Sequence, residues 1–350
     1  MARGGDALAV TSVALVFACS APATLPELAA AEQSETAGQT DRALDQYRAA
    51  QQKCGGLKPE RRAKLACSQA LLGEAELLEH VDRTDQAIAA YIAIPPRVEA
   101  EPDGDPPTAA TALYRAGVLL LHAERPTQAY TALWRVVTDF PDEAAAGDAV
   151  KTLLDDGRTR APEALATELE KLATTEAATQ VGDNIIWSLA DLYAHELNRP
   201  EQARALYDRI PNDFPTSGLR DDARWFAAKL SEQLGDPRGA VERLRALTAT
   251  REVALMAGSY FSVWLDDAQL ELGKLLRDDL HDLDGAAAAF RQLPKDYPAS
   301  ILRDDALFEL AVTLEEKHDT AGRCRAVADL VKLDAESKYI ARAKELGPCP

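Results

Sequence analysis

The 350-residue chain is poor in the residue types that build β-sheets and poor in positive charge. Aromatic residues make up only 6% of it while alanine is frequent throughout, a composition that favours closely packed helices over pleated strands. Its 39 Lys and Arg stand against 57 Asp and Glu, which gives a net charge of −18. Nucleic acids and anionic lipid surfaces would be repelled, so neither is an expected partner. The 47% hydrophobic content still allows a packed core, and an all-α fold is the expectation.

Long apolar runs are also scarce. The run at residues 7–18 is too short to cross about 30 Å of hydrocarbon but fits the core of a signal peptide, so residues 1–18 are predicted to be one. The run ends in Ala18-Cys19-Ser20, which resembles the lipobox of bacterial lipoproteins. The resemblance implies that Cys19 carries the lipid and that Ser20, in place of an Asp, directs the protein to the outer membrane. The alternative is an ordinary signal peptide cut shortly after Cys19, which would leave a soluble periplasmic protein.

The remaining cysteines are few and even in number. They form a close pair near each end of the chain: Cys54 with Cys67, and Cys324 with Cys349. Two antiparallel helices over about 319–333 and 336–346 would bring the last pair together, and local disulfides suit an oxidising compartment. Free buried cysteines are the alternative. Neither spacing matches a zinc site, so no metal or cofactor is expected.

An internal repeat is the most specific signal in the sequence. Residues 211–223 and 294–306 are identical at nine of thirteen positions. An alanine, an aromatic residue and an aliphatic residue precede this segment at fixed distances, as in Ala203, Tyr207 and Ile210. The alanine position recurs along the chain at intervals of 37 to 46 residues: Ala43, Ala87, Ala129, Ala166, Ala203, Ala240, Ala286 and, with arginine in its place, Arg323. Eight such units predict a solenoid.

This pattern resembles the tetratricopeptide repeat (TPR), a pair of antiparallel helices that approach closely where both carry small residues, such as Gly117 and Ala129. The resemblance implies a right-handed α-superhelix of about eight helical hairpins over residues 19–350. Ser217 and Ser300, in the segments after the aromatic and proline, are predicted to cap the following helices. The Asp-[Phe/Tyr]-Pro-x-Ser endings and the lipobox together resemble the BamD-like lipoproteins of outer-membrane assembly and the related cell-division coordinators.

Two segments interrupt the repeat. Residues 97–107 are rich in Pro, Gly and acidic residues and are predicted to form a loop. Residues 248–268 contain nine residues beyond the 37-residue period and include four large apolar side chains: Met256, Tyr260, Phe261 and Trp264. These residues either lengthen the first helix of the seventh hairpin and are buried, or form a docking ridge for a partner protein.

Catalytic motifs are missing from the sequence. His195-Glu196 lacks the second histidine of a zinc peptidase helix, and residues 278–285 fit a turn between helices better than a calcium loop. Glu336-Ser337 resembles the catalytic pair of lytic transglycosylases, but Ser337 aligns with Ser300 of the repeat. No enzyme activity is expected.

The predicted function is therefore a lipid-anchored scaffold on the periplasmic face of the outer membrane. Its partners would be envelope proteins or peptides bound on the concave surface of the first helices, with the membrane contacted only through the lipid. One alternative is a solute-binding lipoprotein that serves a transporter, although no small-molecule ligand is indicated. Another is a cell-division or envelope coordinator.

Overall fold

The computed structural model describes residues 25–54, 61–99, 105–250, 252–254, 258–260 and 262–349. The predicted signal peptide at 1–18 and Cys19 lie outside these residues. Among the helices described, none has the length and apolar character needed to cross a bilayer. The chain divides into two compact units, residues 1–126 and 127–350.

The helices of the first unit are α1 (Pro26–Thr36), α2 (Thr40–Cys54), α3 (Arg61–His80), α4 (Thr84–Ile92), α5 (Ile94–Glu99) and α6 (Pro106–His122). Those that follow are α7 (Pro126–Asp139), α8 (Ala144–Arg160), α9 (Pro162–Thr175), α10 (Gly182–His195), α11 (Pro200–Asp213), α12 (Arg220–Gln233), α13 (Pro237–Thr248), α14 (Leu265–Asp278), α15 (Leu283–Asp296), α16 (Arg303–Glu316), α17 (Thr320–Leu333) and α18 (Ile340–Glu345). Two short strands, β1 (Glu252–Ala254) and β2 (Gly258–Tyr260), lie between α13 and α14.

The alanine frame read from the sequence falls on buried helix positions throughout. Its eight members lie one each in α2, α4, α7, α9, α11, α13, α15 and α17, and each is at most 3% exposed. In the second unit, helices such as α10 with α11 and α16 with α17 pack as hairpins, and residues 144–175 form the hairpin of α8 and α9. These features confirm the all-α fold built from helical hairpins.

Three of the second helices of these hairpins begin with the same capping arrangement. Asp236, Asp282 and Asp319 precede α13, α15 and α17, and each carboxylate accepts a hydrogen bond from the N–H of the glycine three residues on, at 2.8 to 2.9 Å. A Cβ on any of these glycines would lie 2.2 to 2.4 Å from Oδ2 of the same carboxylate, whose Oδ1 accepts the capping bond, so glycine keeps the cap closed. Asp282 thus makes residues 278–285 a turn between helices, as the sequence predicts.

The structure of the irregular segment before α14 disagrees with one of the two predictions, that of a longer first helix. β1 and β2 form an antiparallel pair with Glu252 opposite Tyr260, and α14 begins only at Leu265. The extra residues therefore do not lengthen α14. Met256 and Phe261 lie outside the described residues. The predicted loop at 97–107 begins inside α5 and ends inside α6.

Both terminal cysteine pairs are disulfides. Cys54, the last residue of α2, is joined to Cys67 in α3 with a Cα–Cα distance of 5.7 Å. Cys324 in α17 is joined to Cys349 with a Cα–Cα distance of 5.5 Å. Arg323 fixes the same chain end, because its guanidinium donates to the carbonyls of residues 347 and 348 at 2.7 and 2.9 Å. The structure thus has the local pairing and not free thiols.

Candidate functional site

The first helices α10, α12, α14 and α16 of four successive hairpins form one surface, here called the A-helix face. In three of these hairpins a serine after the second helix bonds back to an aspartate in the first turn of the first helix: Ser217 to Asp183 at 2.5 Å, Ser300 to Asp266 at 2.6 Å and Ser337 to Asp304 at 2.8 Å. Each serine oxygen also accepts the N–H two residues on. This repeated contact fixes the start of each first helix against the connection that follows its hairpin.

The serine contacts correct the predicted helix caps. Leu219 and Leu302 occupy the N-cap positions of α12 and α16, and neither helix has a side-chain cap bond. Ser217 and Ser300 stand two residues before these positions, where each hydroxyl donates to a charged carboxylate, a strong acceptor, while its oxygen accepts the N–H of the N-cap leucine. Ser337 has the same structural role, as its alignment with Ser300 predicts.

Aromatic side chains follow these aspartates by one helical turn. Trp187 in α10 and Phe308 in α16 stand four residues after Asp183 and Asp304, and Trp225 in α12 stands four residues after Asp221, the equivalent aspartate of that helix. In α14 the residue four positions after Asp266 is Leu270. Phe308 is only 3% exposed and is covered by Tyr339, whose ring stacks on it at 4.6 Å. Trp187 and Trp225 remain partly exposed. They present large aromatic surfaces on the A-helix face.

Neighbouring aromatic rings fix the orientation of Trp187 and Trp225. Trp187 packs edge-on against Tyr207 and Phe226, with ring centroids 5.1 and 5.6 Å apart. Trp225 stacks on Trp264 at 5.1 Å with an interplanar angle of 10°. A partner would therefore meet aromatic surfaces whose orientation is already fixed, which lowers the entropic cost of binding.

One of the four predicted docking residues, Trp264, belongs to this aromatic cluster. Trp264 is partly buried, and its indole Nε1 donates to Asp222 at 2.6 Å. Tyr339 does the same at the end of the chain, since its hydroxyl donates to Asp305. Trp264 thus supports Trp225, and a direct contact of Trp264 with a partner stays a prediction. Of Tyr260, only its backbone position in β2 belongs to the described part.

Charged groups lie one turn further along the same helices. The ammonium of Lys229 in α12 bonds Glu232 at 2.5 Å and crosses to Glu271 of α14 at 2.7 Å. Burial raises the pKa of Glu232 above its ordinary value despite the lysine. Burial would also raise the pKa of Glu271, but the hydrogen bond from Lys229 and the charge of Lys274 outweigh it and lower that pKa. This bridge ties α12 to α14.

Asp267 differs from Lys229, Glu232 and Glu271 in its side-chain contacts. Within the described residues its carboxylate takes part in no hydrogen bond or ion pair, and burial together with the nearby Asp266 carboxylate raises its pKa. Asp267 stands one turn before Glu271, as Trp225 stands one turn before Lys229. Because Lys229 and Glu271 are in contact, helical register brings Asp267 level with Trp225. The described part of the face thus has a carboxylate without an ion-pair partner, in helical register with an aromatic side chain.

Sequence comparison identifies two of these hairpins. The tetratricopeptide repeat family matches residues 186–217 and 267–300, which fall on α10–α11 and α14–α15. The chain therefore contains TPRs at these positions, and the closer likeness to BamD-like lipoproteins stays a prediction. No curated protein matches the chain at a significant level.

Several solved structures are similar in fold. YrrB, described as a TPR protein with an unusual peptide-binding site, is 13% identical with a TM-score of 0.42, covering 61% of this chain and 98% of its own. PilW, described as a type IV pilus biogenesis factor, is 13% identical with a TM-score of 0.38, covering 67% and 97%. A tetratricopeptide repeat protein from Parabacteroides merdae is 11% identical with a TM-score of 0.34, covering 82% and 97%.

Proposed function

We propose that the chain is a lipid-anchored scaffold of the cell envelope whose A-helix face binds a protein segment carrying both apolar and cationic side chains. The observation that carries this proposal is the pair of partly exposed, pre-oriented tryptophans, Trp187 and Trp225, level with the unpaired carboxylate of Asp267. Aromatic side chains concentrate binding energy at protein interfaces. A Lys or Arg of the partner would stack on a tryptophan for about 0.5–1 kcal/mol and neutralise Asp267.

The cellular location belongs to the same proposal. The run at residues 7–18 followed by Cys19 supports export and lipid attachment, and Ser20 supports sorting to the outer membrane. The two disulfides also support it, because structural disulfides persist in oxidising compartments such as the periplasm. A part in outer-membrane protein assembly is the specific role we propose for the scaffold.

The anchor is tested by changing Cys19→Ala in the full-length chain. We expect the variant to lose metabolic labelling with fatty acid and to leave the membrane fraction while remaining folded. Unchanged labelling and membrane association would show that Cys19 is not the anchor. A control with Cys324→Ala and Cys349→Ala should keep its lipid, because these residues are far along the chain from the N-terminus.

The binding face is tested by photo-crosslinking in intact cells. A photoreactive amino acid at Gln233, exposed one turn beyond Lys229, should give adducts with a partner. These adducts should disappear when Trp187 and Trp225 are both changed to Ala, and should weaken with Asp267→Asn. The same probe at Arg238, exposed on α13, is the matched control and should be insensitive to both changes.

The tryptophan variant needs a folding check, because Trp187 contacts the buried Tyr207. Its circular dichroism spectrum should match the parent's, and Asp267→Asn gives a second variant without loss of packing. If the adducts at Gln233 persist unchanged in both variants, or if none form, the A-helix face is not the binding surface.

A further inference from the structure

A second surface lies between α15 and α17, here called the α15–α17 groove. It has a volume of about 740 Å³, within the range of sites that hold several ligand side chains or one small molecule. Leu307, Leu310 and Leu314 of α16 form its floor. Their spacing puts all three on one side of α16, and this side differs from that of Phe308 on the A-helix face.

The rim of the groove is strongly basic. Arg291 and Lys295 come from α15, and Arg325 and Lys332 come from α17; all four side chains are exposed. Among the described residues none of these four cations takes part in a hydrogen bond or ion pair through its side chain. The one carboxylate on the rim is Asp329. Such a concentration of unpaired positive charge is unexpected in a chain with a net charge of −18.

The equivalent groove two hairpins earlier in the chain has a different charge arrangement. Helices α11, α12 and α13 align with α15, α16 and α17 at a constant offset of 83 residues, as Asp236 aligns with Asp319. There the guanidinium of Arg243 crosses from α13 to Asp208 of α11, with Nε donating at 2.8 Å. The earlier groove is thus bridged by its own ion pair, and the cation and carboxylate neutralise each other.

Both partners of that bridge are replaced in the α15–α17 groove. Ala326 stands at the position of Arg243, and Arg291 stands at the position of Asp208. The bridging side chain is therefore missing and the acceptor has become a cation. The floor changes too, since the counterparts of its leucines are Arg224, Ala227 and Ser231. An apolar floor, an unbridged opening and a predominantly basic rim occur together here.

We propose that the α15–α17 groove binds an acidic amphipathic helix of a partner protein. Apolar side chains three and four residues apart on that helix would lie on the leucine floor, as in other complexes in which a helix fills a groove. Asp and Glu residues on either side of this stripe would face the four cations of the two walls. A flat bilayer surface would reach the rim charges but not the recessed leucines, so a protein segment fits the groove better than anionic lipid.

The proposal is tested by selection from a displayed library of random peptides of about 16 residues, roughly 24 Å long as helices. The purified parent chain is the bait, and Arg325→Glu/Lys332→Glu is the counter-selection bait. The control variant is Arg238→Glu/Arg245→Glu, which reverses two exposed arginines on α13 and changes the net charge equally. Binding of selected peptides is then measured by fluorescence anisotropy at low and high salt.

We expect the enriched peptides to be acidic, with apolar residues repeating every three or four positions. The groove variant should weaken their binding at least tenfold, and the α13 control should leave it unchanged. Binding should also fall as salt rises, because the screening length drops from about 10 Å at 0.1 M to about 3 Å at 1 M. Peptides with the same composition in scrambled order should bind weakly, since they cannot place their apolar residues on the floor.

Three results would overturn the proposal: enrichment of no peptide or of non-acidic peptides, equal binding by the groove variant and the parent, or equal binding of scrambled peptides. Vesicles of phosphatidylcholine and phosphatidylglycerol in equal parts test the other source of negative charge. If the non-lipidated chain binds these vesicles through Arg325 and Lys332 and binds no acidic peptide, the groove is a membrane contact. None of these outcomes depends on the A-helix face, whose residues are unchanged in both variants.

Discussion

A single methyl group on Gly273 would test how tightly the hairpins pack. A Cβ at this position in α14 would lie 2.4 Å from Cε1 of Phe290 and 2.6 to 2.7 Å from two further ring atoms. Carbon atoms in contact are normally about 3.5–4.0 Å apart. The ring of Phe290 is 0% exposed, so it has no free space in which to move away. Gly273→Ala must therefore displace either α15 or the ring.

The expected magnitude follows from two opposing effects. Inserting a methyl group into a well-packed core costs about 1–3 kcal/mol. Alanine is better than glycine in a helix interior by about 1 kcal/mol, which offsets part of that cost. The 2.4 Å contact places this substitution in the upper part of that range, at about 2–3 kcal/mol, so the net loss should be about 1–2 kcal/mol. A loss of 1 kcal/mol lowers the thermal midpoint by about 2–4 °C in a unit of about 200 residues. The midpoint should therefore fall by roughly 2–8 °C.

Thermal unfolding followed by circular dichroism measures this change. The matched control is Gly218→Ala, because a Cβ there meets no atom within 4 Å and the midpoint should not fall. The double variant Gly273→Ala/Phe290→Leu should lose about 1 kcal/mol less than the two single losses added, since the smaller side chain leaves room for the methyl group. A Gly273→Ala midpoint at or above the parent's would refute the assigned packing of α14 on α15.

Three further predictions concern the same unit. Ala203→Leu adds volume at a position that is 0% exposed and should cost about 1–3 kcal/mol in thermal unfolding; an unchanged midpoint would mean that Ala203 is not in the helix contact. Ser300→Ala removes the donor to Asp266 at 2.6 Å and should cost about 1–3 kcal/mol, whereas Ser300→Thr should keep most of the stability. Asp267→Asn should raise the midpoint at pH 7, because a carboxyl whose pKa is raised by folding favours the folded state only while protonated. That gain should shrink as the pH falls and vanish below about pH 3, where Asp267 is protonated in both states, and a gain that persists there would contradict the raised pKa.

The repeat could be predicted from sequence because it depends on local volume. Helices cross closely only where side chains are small, so positions such as Ala129 and Ala286 recur even where the rest of the unit varies. Arg323 fits the frame despite its size because its guanidinium reaches the carbonyls of residues 347 and 348 beyond α18. The disulfides could be predicted for a similar reason, since each joins residues that neighbouring helices bring together.

The A-helix face could not be predicted in the same way. The roles of Ser217 and Trp225 depend on contacts with Asp183 and Trp264, 34 and 39 residues away along the chain. A serine before a helix is predicted to cap it when only local options are weighed. Ser217 instead lies two residues before the N-cap, where its oxygen accepts the N–H of Leu219 and its hydroxyl donates to Asp183, and nothing in the local sequence reveals that distant acceptor. One signal was present, namely the aromatic residue four positions after the aspartate in α10, α12 and α16.

The net charge of the chain does not predict the charge of the α15–α17 groove, for a physical reason. A charge of −18 describes the field at distances where all groups act together, and it argues against non-specific binding of long polyanions. At physiological ionic strength the screening length is about 8 Å, so a segment inside a groove responds mainly to the side chains that line it. Arg291, Lys295, Arg325 and Lys332 therefore decide the local potential, whatever the sum over the chain. A short acidic helix can be attracted there while a long polyanion is repelled by the acidic surface around it, and this combination would favour a specific protein partner over nucleic acid.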